Sequence, residues 1–157
     1  VAMNIAPDPD TKAHIIRNAV EASRRLGTDN PKVAVVAAVE TVNPKMEATV
    51  HAAMLRDMNR EGTLTGCIVE GPLALDIAID KQAALHKGID NAVAGDSDII
   101  LVPDIEAGNI LYKALNFLGG AKSAAIVMGA SVPIVLTSRA DDERSKLLSI
   151  ALAAVIR

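Results

Sequence analysis

The sequence predicts an α/β fold: a three-layer α/β/α sandwich built on a mostly parallel sheet. Three observations predict it. Segments with helical periodicity alternate with short, continuously apolar runs. The residues are 50% hydrophobic but only 1% aromatic, so the core is aliphatic, which suits close-packed α/β layers better than a β-sandwich. Gly and Pro mark the ends of several segments: Asp8-Pro9 and Asn43-Pro44 open helices, and Gly27, Gly62 and Gly119-Gly120 close them. At 157 residues the chain is long enough to bury a real core.

The elements follow in order. Asp8-Pro9 supplies a capping side chain followed by Pro at the first helical position. Ile16, Ala19, Val20 and Ser23 then share one face, and Gly27 stops the helix. Lys32 to Val39 reads as a buried strand. Asn43-Pro44 repeats the cap-then-Pro signal, and Met46, Val50, Met54 and Met58 form a helix stripe of core filler up to Gly62. Thr65 to Val69 is a second strand. Leu73 to Ile79 alternates as a strand does, but Gly71-Pro72 and its alanines favour a helix, which is the reading adopted. Leu85 to Ser97 reads as a loop, and Asp98 to Val102 as a strand. Glu106 to Leu118 is a helix with Ile110, Leu111, Ala114, Leu115 and Leu118 inward, ended by Gly119-Gly120. Ala124 to Met128 and Ile134 to Thr137 read as strands. Asp141-Asp142 starts the last helix, with Leu147, Leu148, Ala151, Leu152 and Val155 inward.

Composition excludes several classes of function. A net charge of -3, scattered Lys and Arg, and almost no stacking aromatics argue against nucleic-acid binding. No stretch is long and apolar enough to span a bilayer, and no basic-then-apolar signal segment opens the chain. A cytoplasmic protein is the expectation. The chain opens on Val1 without an initiator Met, which fits a processed or truncated product. The single Cys67 excludes an internal disulfide and reads as a small core residue. His14, His51 and His86 show no metal-ligand spacing, so they read as surface or capping residues and no metal site is expected.

In α/β sheets, ligands bind beyond the carboxyl ends of strands. Three loops there stand out. Glu70-Gly71-Pro72 lets the backbone turn closely, with Asp76 one turn into the next helix. Pro103 to Asn109 crowds two acids and an amide at a helix N-terminus, where free N–H groups favour anions and Gly108 admits close approach. Simple capping by Asp104 explains the same pattern. Thr137-Ser138-Arg139 sets a hydroxyl beside a forked cation after an apolar strand, a grip suited to phosphate. An N-cap Ser and a solvated Arg are the plainer account. There is no phosphate loop of the nucleotide-triphosphatase kind and no dinucleotide fingerprint.

These loops, in this order, resemble the phosphate acetyl/butyryltransferase family. The matching text is Val93-Ala94-Gly95, Pro103-Asp104 through Ala107-Gly108-Asn109-Ile110 to Tyr112-Lys113, and Pro133 through Thr137-Ser138-Arg139. Ala38-Val39-Glu40, Val42 to Met46, Gly71 to Ala78 and Ser138 to Asp141 lean to the butyryl branch. The resemblance runs from near Val1 to Arg157. It implies the C-terminal half of a two-domain enzyme, with the segment from about Ser138 to Arg157 packing on the other domain and the active site in the cleft.

The implied reaction moves a short-chain acyl group, butyryl-like, between coenzyme A and inorganic phosphate. Coenzyme A is then a substrate, no cofactor is tightly bound, and a homodimer is expected. By resemblance Ser138 and Arg139 are the catalytic residues, and Gly71, Pro72, Asp104, Gly108 and Asn109 line the substrate site. Acetyl-type members place an Asp seven residues after the Ser. Here that place holds Ser145, so no base is carried over. The alternative is a non-catalytic acyl-CoA-binding and oligomerisation module of the same family. A hydroxy-acid dehydrogenase of similar broad fold lacks its expected metal-binding residues here.

Overall fold

The computed structural model describes residues 3–139 and 141–157. The chain divides into two compact units: Ala6–Pro103, and Asp104–Arg157 together with the first residues of the chain.

The first unit is a three-stranded parallel sheet in the order β2-β1-β3, with β1 Lys32–Val36, β2 Ile68–Leu73 and β3 Ile99–Leu101. Helices α1 (Pro9–Arg25), α2 (Glu47–Arg60), α3 (Leu75–Ile79) and α4 (Lys81–His86) complete it. Side chains alternate across a strand, and β1 uses both of its faces. Val33 and Val35 join Ala13, Ile16 and Val20 of α1 and Ala52 and Leu55 of α2 in one core cluster. Ala34 and Val36 join Ile77, Ala78, Ala84, Val93 and Ala94 in the other. That two-sided burial is the α/β architecture read from the sequence.

Several local expectations hold. Asp8 caps α1 through Thr11 N (2.8 Å), with Pro9 in the first turn. Others shift. Asn43-Pro44 makes a turn ahead of α2: Asn43 Oδ1 accepts from Lys45 N, and the helix starts at Glu47. Thr49, Ala52 and Leu55 are the buried face of α2, and Met54 is exposed. Of the Met stripe, Met58 packs partly buried against the core while Met54 faces solvent. A polar Thr49 lies inward because its hydroxyl donates to the Met46 carbonyl oxygen at 2.7 Å and accepts from Asn43 N.

β2 begins later than expected and runs through Gly71-Pro72, whose peptide bond is cis. An edge strand tolerates the missing N–H of Pro. A Cβ on Gly71 would lie 2.8 Å from the Val35 carbonyl oxygen and 3.2 Å from Ala52 Cβ, so only Gly fits between β1 and α2. The expected loop over 85–97 hides two features. The end of α4 lies inside it, and Val93 and Ala94 are fully buried. Asn91 Oδ1 accepts from both of their backbone amides, at 3.0 and 2.8 Å.

Lys12 is 4% exposed yet charged chemistry surrounds it. Its Nζ lies 2.9 Å from His51 Nδ1, and His51 Nε2 lies 3.7 Å from Glu47. The ammonium can only donate, so Nδ1 accepts and the imidazole is neutral. Burial, then the Lys12 charge, holds His51 below its ordinary pKa, against the opposite pull of Glu47 and Asp8. The unfolded chain therefore binds this proton first. Stability from this group is complete above the ordinary His range and is lost as pH falls through the lowered folded value. Thermal melts of the intact protein and of His51→Gln should diverge on acidification, with the wild type losing more. Parallel curves would remove His51 from the acid response.

In the second unit, α5 (Ile105–Lys113) continues into a π-helical turn, Ala114–Leu118, and α6 spans Glu143–Val155. The expected strands over 124–128 and 134–137 reduce to one antiparallel bridge, Val127 with Ile134. Gly129, Ser131 and Pro133 interrupt the segment, and Pro133 lacks a ladder donor. With no continuous sheet there, the apolar residues expected inward stay exposed: Ile110, Leu115, Leu147, Leu148, Val155, and Leu118 at 88%.

Candidate active site

Ser138 and Arg139 line a cavity of about 350 Å³ in the second unit, with Tyr112, Ala125, Leu136, Thr137 and Asp141. Arg139 is exposed, and its guanidinium has no ion-pair partner among the described residues. Asp141 organises the wall. Ser138 N donates to Asp141 Oδ2 at 2.7 Å, and Tyr112 Oη donates to Asp141 Oδ1 at 2.8 Å. Burial raises the Tyr112 phenol above its ordinary value, and the nearby Asp141 and Asp142 charges add to this. The phenol therefore stays protonated and remains a donor.

Asp142 caps α6 through Ser145 N (2.7 Å), which holds its carboxyl below the usual range. Ser145, in the place of the family's Asp, closes a helix turn: its carbonyl accepts from Ser149 Oγ, and that same oxygen accepts from Ala125 N. A neighbouring cavity of about 290 Å³ has Asn116, Lys122, Asp141 and Arg144 in its wall.

The other expected site residues are placed differently. Asp104 caps α5, accepting from Ala107 N at 2.8 Å. Gly108 is buried, and Asn109 is exposed one turn before Tyr112. None of the three lines either cavity. Gly71 and Pro72 are buried in the first unit, where the Gly71 carbonyl accepts from Arg56 Nη1 at 3.2 Å. Sequence reasoning missed Tyr112 and Asp141 as site residues. A signal was present: an Asp three positions after a loop Ser, and the one Tyr of the chain.

Cys67 lies in the aliphatic core, and burial pushes its thiol pKa up, which keeps it protonated. Among the described residues, no group of His, Cys, Asp and Glu could hold a metal ion, and no helix is long and apolar enough to cross a membrane.

The family model described as "Phosphate acetyl/butaryl transferase" matches residues 1–154. The chain belongs to this family. Within it, the chain is 49% identical over 156 residues to the phosphate butyryltransferase of Clostridium acetobutylicum, covering 99% of this chain and 52% of that protein. It is 57% identical over 152 residues to a probable phosphate butyryltransferase of Bacillus subtilis, covering 97% of this chain and 51% of that protein. It is 54% identical over 153 residues to the phosphate acetyltransferase of Thermotoga maritima, covering 98% and 52%. The crystal structure of a branched-chain phosphotransacylase from Enterococcus faecalis V583 superposes with a TM-score of 0.90 at 41% identity, covering 99% of this chain and 55% of that one. The chain thus spans about half the length of these phosphate acyltransferase relatives. The family resemblance read from its loops holds over nearly the whole chain.

Proposed function

We propose that this chain carries the Ser-Arg centre of a phosphate acyltransferase that moves a short-chain, butyryl-like acyl group between coenzyme A and inorganic phosphate. The observation that carries the reading is the cavity bearing Ser138 beside the exposed Arg139, whose guanidinium has no ion-pair partner among the described residues. Arg offers forked donors that match a phosphate in charge and geometry. A phosphate oxygen attacks the thioester carbonyl, the C–S bond breaks, and the phosphate proton ends on the departing thiolate. Arg139 neutralises the phosphate. Ser138 hydrogen-bonds the developing oxyanion or the sulfur.

Gly71, Pro72, Asp104, Gly108 and Asn109 complete the substrate site in this reading, with coenzyme A as substrate and no tightly bound cofactor. The segment from about Ser138 to Arg157 packs on the domain that the longer relatives possess. The exposed Leu147, Ile150 and Val155 support that packing, since α6 otherwise leaves apolar surface in water. A cytoplasmic homodimer is part of the same proposal.

The test is phosphate-dependent release of coenzyme A by the intact protein from acetyl-, butyryl- and isobutyryl-CoA. Four-carbon substrates are expected to exceed acetyl-CoA by about ten-fold in kcat/KM, the scale of added methylene contacts in an apolar pocket. Acyl-CoA binding without phosphate-dependent release would overturn the assignment. Preference for acetyl-CoA would overturn the acyl choice alone.

A further inference from the structure

Two donors of the second unit meet at one carboxylate. Asp141 Oδ2 accepts from the Ser138 amide and Asp141 N donates back to the Ser138 carbonyl at 3.1 Å, so the turn is closed from both ends. Asp141 Oδ1 accepts from the Tyr112 hydroxyl of α5. Tyr112 is itself held. Its carbonyl accepts from Asn116 Nδ2 at 2.8 Å, Asn116 Oδ1 accepts from Ser123 Oγ at 2.9 Å, and Ser123 Oγ lies 3.3 Å from Tyr112 Oη. An ionised carboxylate only accepts, so the phenol proton must point at Asp141. Ser123 has one proton for two neighbours, and the shorter contact to Asn116 takes it. The phenol is thereby left with Asp141 as its acceptor.

We propose that Asp141 and Tyr112 are positioning residues: the Asp141 carboxylate ties the Ser138 amide to the Tyr112 hydroxyl and so fixes how Ser138 and Arg139 face the cavity. The inference rests on the acyl-transfer reading given above and deepens it in two ways. The Ser138 amide is committed to Asp141, so any contact from Ser138 to reacting atoms comes from its side chain. Both Asp141 oxygens hold donors within 2.8 Å, so Asp141 acts as a brace and not as the base that Ser145 fails to supply.

The experiment is a double-mutant cycle in the intact protein with Tyr112→Phe, Asp141→Asn and the double variant. Phosphate-dependent release of coenzyme A is followed across pH. Tyr112→Phe is expected to lower kcat about ten-fold and Asp141→Asn about thirty-fold, with KM for acyl-CoA held within about two-fold and the shape of the pH profile kept. The double variant should be no slower than Asp141→Asn, because both substitutions cut the same tie.

A second readout is the tyrosinate absorbance of wild type minus Tyr112→Phe. The Tyr112 ionisation should move to lower pH in Asp141→Asn, since a nearby negative charge is gone. Multiplicative effects, an unchanged rate in Tyr112→Phe, or an unmoved Tyr112 ionisation would each overturn the proposal. Loss of one limb of the pH profile in Asp141→Asn alone would make Asp141 the base and overturn it too. A silent wild type sinks the acyl-transfer reading and this inference together. An active wild type with an unaffected Tyr112→Phe sinks only the inference.

Discussion

Arg139→Ala is expected to slow phosphate-dependent release of coenzyme A by roughly 100-fold, the usual scale for one lost charge contact in a preorganised site, about 3 kcal/mol. Arg139 sits exposed at the end of the Pro133–Arg139 segment, beside Ser138, with no carboxylate neutralising it among the described residues. A charge kept uncompensated at a cavity mouth attracts an anion and gains most where negative charge is greatest. In the proposed reaction that is the incoming phosphate and the tetrahedral oxygen. The loss should therefore appear in both KM for phosphate and kcat. Arg139→Lys restores the charge without the fork and should recover only part of the rate. An unaffected Arg139→Ala protein would remove Arg139 from the reaction.

Gly95→Ala is expected to destabilise the fold by about 3 kcal/mol, at the upper end of what overpacking costs. Gly95 has φ +75°, a region that side chains rarely adopt. Its amide donates to the Ile77 carbonyl at 2.7 Å, which pins the loop against α3. An added Cβ would meet the backbone of Lys81, and the Lys81 Cβ at 2.8 Å, at the start of α4. Gly95 and Lys81 both flank core residues: Val93 and Ala94 precede Gly95, and Ala84 follows Lys81. Gly88→Ala separates the two causes, because Gly88 has φ +69° but open space around it. That variant should lose only the conformational part, about 1 kcal/mol. Equal midpoints for the two variants in chemical denaturation would discount the steric argument.

Much of this structure was legible in the sequence, and the exceptions share causes. The Asp8-Pro9 start of α1 and the buried β1 were readable because local signals decide them. The inward face of α2 was not. Hydrophobicity points to Met54, but the fold buries Thr49, whose hydroxyl is satisfied by its own turn. The segment around Val93 looked like loop because its burial depends on contacts distant in sequence, made by Ala34 and Ile77. The stretch from Ala124 to Thr137 has strand composition, but a strand needs a partner, and only Val127 and Ile134 find each other.

At the site, Ser138 and Arg139 were legible as a hydroxyl and a fork after an apolar run. Asp141 was not. Its neighbour Asp142 reads just as well as a helix starter, and the link to Tyr112 spans 29 residues.

The adjacent Asp141 and Asp142 are chemically alike and do unlike work. Asp142 opens α6 by accepting from Ser145 N, while Asp141 reaches the other way to the Ser138 amide and Tyr112. One peptide link thus couples the start of a helix to the orientation of a hydroxyl and a guanidinium. Asparagine, an equally good opener of helices, can replace the second aspartate without consequence for that orientation. At the first it offers a donor where two donors already point. The two positions are therefore unequal targets for anyone redesigning this loop. Changes that lengthen or refold the α6 entrance will be felt at Ser138 and Arg139 before they are felt in the helix.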